Sequence, residues 1–299
     1  MKILVIGSKG FIGRHTLEYF EKKYPNQIYG ADVVVDYTTQ NYFLIDSTNS
    51  DFFYIFKHTD FDFCINCSGA ASVPDSIINP MRDYVLNTVN VFKILNAIKE
   101  LQPSCKFINL SSAAVYGNPL VLPIKEESKL LPLSPYGYHK KQAEEICKEF
   151  FIFFGVKTLC LRIFSAYGEG LSKQLFWDLY QKSKRNSHIV LFGTGLESRD
   201  FIYIKDLMQV FNIVIDKAIF DGKAINVANG EEITIKEASE IFYSHCNSEI
   251  SVEFSQETRK GDPTNWVADI SKLKLLGYNR QFSLALGLQN VYTWIKEKD

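Results

Sequence analysis

Residues 2–6, Lys-Ile-Leu-Val-Ile, run straight into Gly7-Ser8-Lys9-Gly10-Phe11-Ile12-Gly13 and then into an amphipathic segment reaching Phe20. After Lys2, residues 3–6 are all β-branched or apolar, as a strand buried in the middle of a parallel sheet requires. Glycines at 7, 10 and 13 allow a tight turn, a close approach of backbone to a diphosphate, and close packing of helix on strand. The helix that follows turns its free N–H groups toward that diphosphate. A glycine-rich surface turn alone would carry no such meaning. The order of strand, glycines and helix predicts a dinucleotide site at the start of an α/β sheet.

The rest of the chain repeats the strand–helix alternation. Strands are predicted at residues 27–31, 42–45, 63–67, 106–110 and 157–164, with helices near 80–101 and 136–154. Such alternation specifies a doubly wound parallel sheet with right-handed crossovers. Asp32 closes the second strand, 32 − 13 = 19 residues after the last glycine. That is close to the spacing of about 20 for a ribose-binding carboxylate, which favours NAD. Asp36 is a rival for that role. Lys9 pulls toward NADP, because a cation in the glycine loop suits a 2′-phosphate.

Other candidates lie at the carboxyl ends of strands, where ligands of open α/β sheets gather. Asp46 ends the third strand. Ser68-Gly69-Ala70 follows the fourth, small enough to admit a cofactor or to form an ordinary turn. Asn87, within an apolar helical stripe, either anchors a loop or touches a ligand. Ser111-Ser112 ends the fifth strand, where the hydroxyls reach substrate or cap turns. Tyr136 and Lys140 are four apart and so share one helical face. An ammonium beside a phenol should draw its pKa from roughly 10 toward neutrality, making an acid–base device.

Composition bounds the remainder. With 299 residues, 46% hydrophobic, the chain has ample core, and its net charge of −1 gives no reason to expect nucleic acid or an anionic membrane as partner. Its apolar runs are far shorter than a membrane span, and the N-terminal one is too short for a secretory signal. Six cysteines without a disulfide-framework spacing fit a reducing cytoplasm. Cys64 and Cys67 form a CxxC on a strand, where they point to opposite faces, and no second pair completes a metal site.

The glycine loop, Ser111-Ser112 with Val115-Tyr116-Gly117, and the Tyr136/Lys140 pair occur together with Leu161-Arg162-Ile163-Phe164 and Arg199-Asp200-Phe201-Ile202-Tyr203-Ile204-Lys205-Asp206. Arg259-Lys260-Gly261-Asp262 and Leu276-Gly277-Tyr278 follow near the end. In this set the chain resembles the extended short-chain dehydrogenase/reductases, and within them the nucleotide-sugar epimerase/dehydratase branch, over nearly its whole length. The resemblance implies a Rossmann-type domain over residues 1–164, with later segments returning to it, and a smaller substrate domain over 165–299. It implies a catalytic set of Ser112, Tyr136 and Lys140. Gly7, Gly10, Phe11, Ile12, Gly13, Asp32, Asp46, Ser47, Ser68, Gly69, Ala70 and Asn87 would hold NAD or NADP with Tyr136 and Lys140. Ser112, Ser165, Arg199, Arg259 and Asp262 would meet a nucleotide-diphosphate sugar.

Two departures stand out. Ala113-Ala114 replaces the acidic residues that family dehydratases carry after the catalytic Ser/Thr, which speaks against dehydration. Ser165 stands where the family often has Asn. The implied activity is a 4-epimerase working through transient hydride transfer at hexose C4. The alternatives are a 4-ketoreductase of a nucleotide 4-keto-6-deoxysugar and a non-catalytic NAD(P) sensor. A run of five bulky apolar residues, 150–154, implies a homodimer joined through helices.

Overall fold

The computed structural model describes residues 1–246, 249–257, 261 and 263–299. Seven parallel strands form the central sheet. Six are β1 (Ile3–Ile6), β2 (Ile28–Asp32), β3 (Tyr42–Leu44), β4 (Phe63–Asn66), β5 (Lys106–Ser112) and β6 (Thr158–Ile163), and the seventh is Ala224–Val227. Their order across the sheet is Ala224–Val227, β6, β5, β4, β1, β2, β3. Ile3 is in register with Ile28 on one side and Phe63 on the other, so β1 lies between β2 and β4. There the connection order reverses, which leaves a crevice at the carboxyl ends of β1 and β4.

The alternating pleat divides the core. Ile3 and Val5 point to one face, with Phe20, Ile65, Leu161 and Phe211, while Leu4 and Ile6 point to the other, with Phe56, Ile94, Leu95 and Phe150. Cys64 packs in the second cluster and Cys67 against the first, as opposite-facing positions should. Both faces are covered, so β1, β4 and β6 are buried along their full length.

Element ends differ from the sequence reading by a residue or two, and three differences bear on the site. β2 includes Asp32, and the Ile45 N–H donates to the Asp32 carbonyl at 2.8 Å. β5 runs two residues further than expected, because Ser111 and Ser112 pair in register with Arg162 and Ile163. The helix expected over 80–101 is one continuous rod with an internal π-turn. Pro80–Tyr84 passes through the π-turn Val85–Val89 into Asn90–Leu101. A π-turn inserts one extra residue per turn and often marks a functional site.

Beyond β6, the chain forms short paired strands and helices at the carboxyl end of the sheet. Ser165–Tyr167 pairs with Phe201–Tyr203, Ser198–Arg199 with Ile233–Thr234, and His188–Leu191 with Ser251–Phe254. The helix Ile204–Lys217 packs on α1 (Phe11–Lys23), and Leu284–Lys298 packs on Ile235–Tyr243. Asp200 ties these segments together. Fully buried, its carboxylate accepts the N–H groups of Asn229 (2.9 Å), Gly230 (2.9 Å) and Ala268 (3.0 Å). Burial raises its pKa to about 6, against the lowering effect of those bonds. No helix among the described residues is long and apolar enough to cross a membrane.

Candidate active site

The floor of the crevice is built from glycines. Gly7 has φ +79°, and a Cβ on it would lie 2.6 Å from the Ser68 backbone nitrogen. A Cβ on Gly13 would lie 2.0 Å from the Gly7 carbonyl oxygen. These two glycines are therefore required by the protein's own packing. Gly10 differs. Its N–H donates to the Gly7 carbonyl at 3.1 Å, and an added Cβ would meet that oxygen alone, at 3.3 Å. Gly10 is the N-cap of α1, and no side chain caps the helix start. Phe11 and Ile12 form its first turn, half-buried, so the N–H end of α1 faces outward over the floor.

Asp32 lies beside it. Its carboxylate accepts the Lys9 N–H at 2.8 Å and the Val33 N–H at 2.7 Å. Asp36 is enclosed by its own turn, accepting from Thr38, Thr39 and the Lys9 ammonium, which hold its carboxyl far below the usual range. Lys9 and Asp36 thus pair with each other. Asp46 and Ser47 sit in an exposed turn after β3, with the Asp46 carboxylate accepting from the Thr48 N–H (2.8 Å) and hydroxyl (2.7 Å).

Across the crevice, the Ser68 hydroxyl donates to Asn66 Oδ1 at 2.5 Å. Gly69 has φ +123°, and a Cβ there would lie 2.4 Å from Asn87 Oδ1 and 3.4 Å from Lys140 Nζ. The Asn87 amide donates to the Ala70 carbonyl at 3.1 Å and to Asp83 Oδ2 at 3.1 Å. Asn87 is therefore a loop anchor whose carbonyl oxygen faces Gly69.

At the end of β5 the two serines part. Ser111 donates to Glu144 Oε1 at 2.5 Å, below the site. Ser112 accepts the Ala114 N–H at 3.1 Å, and its hydroxyl favours ionisation of the Tyr136 phenol. Tyr136 lies in the first turn of the helix Pro135–Phe154, which Ser134 caps through the Gly137 N–H at 3.2 Å. A Cβ on Gly137 would lie 2.6 Å from the Ala114 carbonyl oxygen, so glycine is what lets this helix start touch the β5 turn.

Lys140 Nζ donates to the Leu110 carbonyl at 2.8 Å and stands 6.0 Å from the Tyr136 ring centroid. Burial lowers its pKa to about 8. The expectation that Tyr136 would fall toward neutrality is corrected here. Burial raises its pKa above the ordinary phenol value, the Ser112 hydroxyl opposes this, and the Asp83 charge adds to it. The ammonium's hydrogen bond goes to Leu110 and not to the phenol, and desolvation is the largest influence on Tyr136.

Of the residues expected to meet substrate, Ser165 opens the strand Ser165–Tyr167 and donates its N–H to the Asp200 carbonyl at 3.0 Å. Arg199 donates to the Ser198 (2.8 Å) and Thr264 (3.2 Å) carbonyls, with its guanidinium 5.6 Å from the Trp266 ring centroid. Arg259 and Asp262 lie outside the described residues. Val73, Ala114, Leu133, Ser134, Gly261 and Trp266 line a small cavity close to Gly117.

Sequence reasoning missed a buried ion pair and a histidine–carboxylate hydrogen bond. Glu144 Oε2 accepts Arg162 Nη2 at 2.7 Å, and Arg162 Nη1 donates to the Tyr116 hydroxyl at 2.7 Å. Tyr136, Lys140 and Glu144 follow one another at four-residue steps, and Arg162 is a charge inside a wholly buried strand. Both were signals of a hidden partner. The hydrogen bond joins His139 Nδ1 to Asp83 Oδ2 at 2.6 Å. These positions are 56 residues apart, beyond any spacing rule.

The model of the NAD dependent epimerase/dehydratase family matches residues 3–228. A UDP-glucose 4-epimerase of Halalkalibacterium halodurans is 26% identical, covering 99% of this chain and 96% of that protein. Among solved structures, a UDP-glucuronic acid 4-epimerase of Bacillus cereus, in complex with UDP-glucuronic acid and NAD, is 27% identical with a TM-score of 0.90 over 100% of both chains. A UDP-N-acetylglucosamine 4-epimerase of Methanobrevibacter ruminantium, in complex with UDP-N-acetylmuramic acid, is 27% identical with a TM-score of 0.89, covering 100% of this chain and 99% of that one. The Rossmann-type sheet, the glycine loop on α1 and the match over three quarters of the sequence agree, and the chain belongs to the NAD dependent epimerase/dehydratase family.

Proposed function

We propose that this enzyme is a nucleotide-sugar 4-epimerase that inverts hexose C4 by reversible hydride transfer with NAD. The observation that carries the reading is the convergence of Ser112, Tyr136 and Lys140 at the carboxyl end of β5, next to the glycine floor. NAD fits this floor, because Gly10 leaves clear the N–H end of an uncapped helix, where a diphosphate is favoured. Gly7, Gly10, Phe11, Ile12 and Gly13 would bind the diphosphate, and Asp32 the adenosine ribose, with Asp46 and Ser47 beside it. Ser68, Gly69, Ala70 and Asn87 would flank the nicotinamide half with Lys140. When bound, NAD supplies the hydride acceptor and then the donor.

Oxidation at C4 releases a hydride from carbon and a proton from the hydroxyl. Tyr136 would take that proton in its ionised form, which burial disfavours and the positive charge of bound oxidised NAD favours, while Ser112 donates a hydrogen bond to the reacting oxygen. After the keto sugar turns over, the hydride returns to its other face and Tyr136 gives the proton back to oxygen. No net redox change remains. The relatives' substrates favour a uridine diphosphate sugar. Segments after residue 164 would hold that nucleotide, with Arg199 and Arg259 on its diphosphate, Asp262 in support and Ser165 near the sugar.

The 4-ketoreductase reading uses the same residues. Its sequence support, a Lys9 free for a 2′-phosphate, is weakened by the Lys9–Asp36 pair. The deciding experiment offers the purified enzyme a UDP-hexose carrying deuterium at C4. An epimerase yields the C4 epimer with the label retained and no net change in nicotinamide absorbance. Stoichiometric consumption of reduced cofactor on a 4-keto sugar would refute it.

A further inference from the structure

Asp83 has no part in the reaction just described, yet it is a deeply buried carboxylate on the helix packed against that of Tyr136 and Lys140. Its side chain is 3% exposed, Oδ2 accepts from His139 Nδ1 and Asn87 Nδ2, and Oδ1 has no hydrogen-bond partner among the described residues. Burying a charge is costly unless its lone pairs are met, so a purely structural clamp here would do better with a neutral side chain. What the carboxylate does do is specific. By accepting from Asn87 Nδ2 it fixes which end of that amide faces the floor, turning Oδ1 toward Gly69, a glycine that also borders the Lys140 ammonium. Through His139 it joins the π-turn to the helix of Tyr136 and Lys140. The Thr88 hydroxyl, donating to the His139 carbonyl at 3.0 Å, and the Tyr84 ring against the imidazole complete that joint.

We propose that Asp83 is a positioning residue for the acid–base chemistry at Tyr136 and Lys140, aligning the π-turn against their helix and setting a fixed negative charge beside both. The proposal rests on the reading of that pair as the reaction's acid–base machinery. The sign of its effect follows from charge alone. A carboxylate makes it harder to ionise the phenol and harder to remove the ammonium's proton, and both directions are found for Asp83. The other groups facing these side chains are the Ser112 hydroxyl on Tyr136, and the thiols of Cys67, Cys147 and Cys160 around Lys140. His139 faces Asp83 itself.

Asp83→Asn keeps the shape and removes the charge. In purified full-length protein with isotope-labelled lysine, the Lys140 resonance, assigned by its loss in Lys140→Met, reports the midpoint directly. That midpoint should fall on the order of one pH unit, and the acid limb of the kcat/KM profile should move to lower pH with it. A folded Asp83→Asn protein with an unmoved Lys140 midpoint overturns the proposal. A shifted midpoint in a protein without epimerase activity leaves it standing and removes the reaction instead. Should Asp83→Asn fail to fold, His139→Gln keeps the carboxylate, so the midpoint should stay or rise, and a fall overturns the proposal.

Discussion

At the scale of single residues, the site is defined by what burial does to two ionisable groups. In the proposed mechanism Tyr136 carries the proton, so Tyr136→Phe, which removes one oxygen and nothing else, should keep fold and cofactor binding yet lose roughly 10² to 10⁴ in turnover. Turnover within a few-fold of the parent enzyme, measured on protein of unchanged melting temperature, would remove Tyr136 from the mechanism. Lys140 provides a second prediction, about stability. Its pKa falls from 10.5 to about 8 in the folded chain, so folding disfavours its charged form. A base with a depressed folded pKa withholds stability fully below that value, and stability returns as pH rises toward the unfolded one. The penalty, about 3 kcal/mol, exceeds the roughly 1 kcal/mol of the lost bond to the Leu110 carbonyl. Lys140→Met should therefore be inactive yet more stable than the parent at pH 7, with an advantage that shrinks between about pH 8 and 10. Denaturant unfolding at a series of pH values checks this, and an advantage that grows with pH contradicts it.

At the scale of elements, the helix Pro135–Phe154 is held by a capping serine at its start and by Glu144 in its middle, which joins Ser111 of β5 to Arg162 of β6. Breaking a buried ion pair from one side costs about 3–5 kcal/mol, because the remaining charge stays buried without its partner. Arg162→Met should reach that cost, and Glu144→Leu added to it should recover much of the loss in urea unfolding. Equal stability of single and double variants would show that the pair does not act as a unit.

These elements also show what a sequence reveals. β1, β4 and β6 were legible because a strand buried on both faces is mostly apolar, and the helix expected over 136–154 begins one residue earlier, at Pro135. The π-turn was not legible, because one extra residue leaves the apolar stripe of 80–101 almost unchanged. The extension of β5 into two serines was hidden because its hydrogen bonds come from β6. At the site, the shared helical face of Tyr136 and Lys140 was legible from four-residue spacing, while the rise in the phenol's pKa was not. Desolvation depends on everything packed around a group, and spacing reports only one neighbour.

At the scale of the whole molecule, we propose that two copies associate through the helices 80–101 and 135–154. Met81, Phe92, Tyr138, Ile152 and Phe153 are exposed along them, and Phe150 is buried beneath Phe92. Light scattering at micromolar concentration should give twice the chain mass, and Phe153→Asp should shift it toward the monomer. A monomeric parent would mean that this surface has no second copy on it. The floor of the crevice has a different kind of consequence. The two halves of the sheet meet at Gly7 and Ser68 with no room for a single methyl group. Descendants of this chain thus inherit a foundation that admits no trial substitutions. Variation in how tightly the cofactor is gripped must come from the side walls, the exposed stretches 33–37 and 46–49, where a lineage is free to experiment without disturbing its foundation.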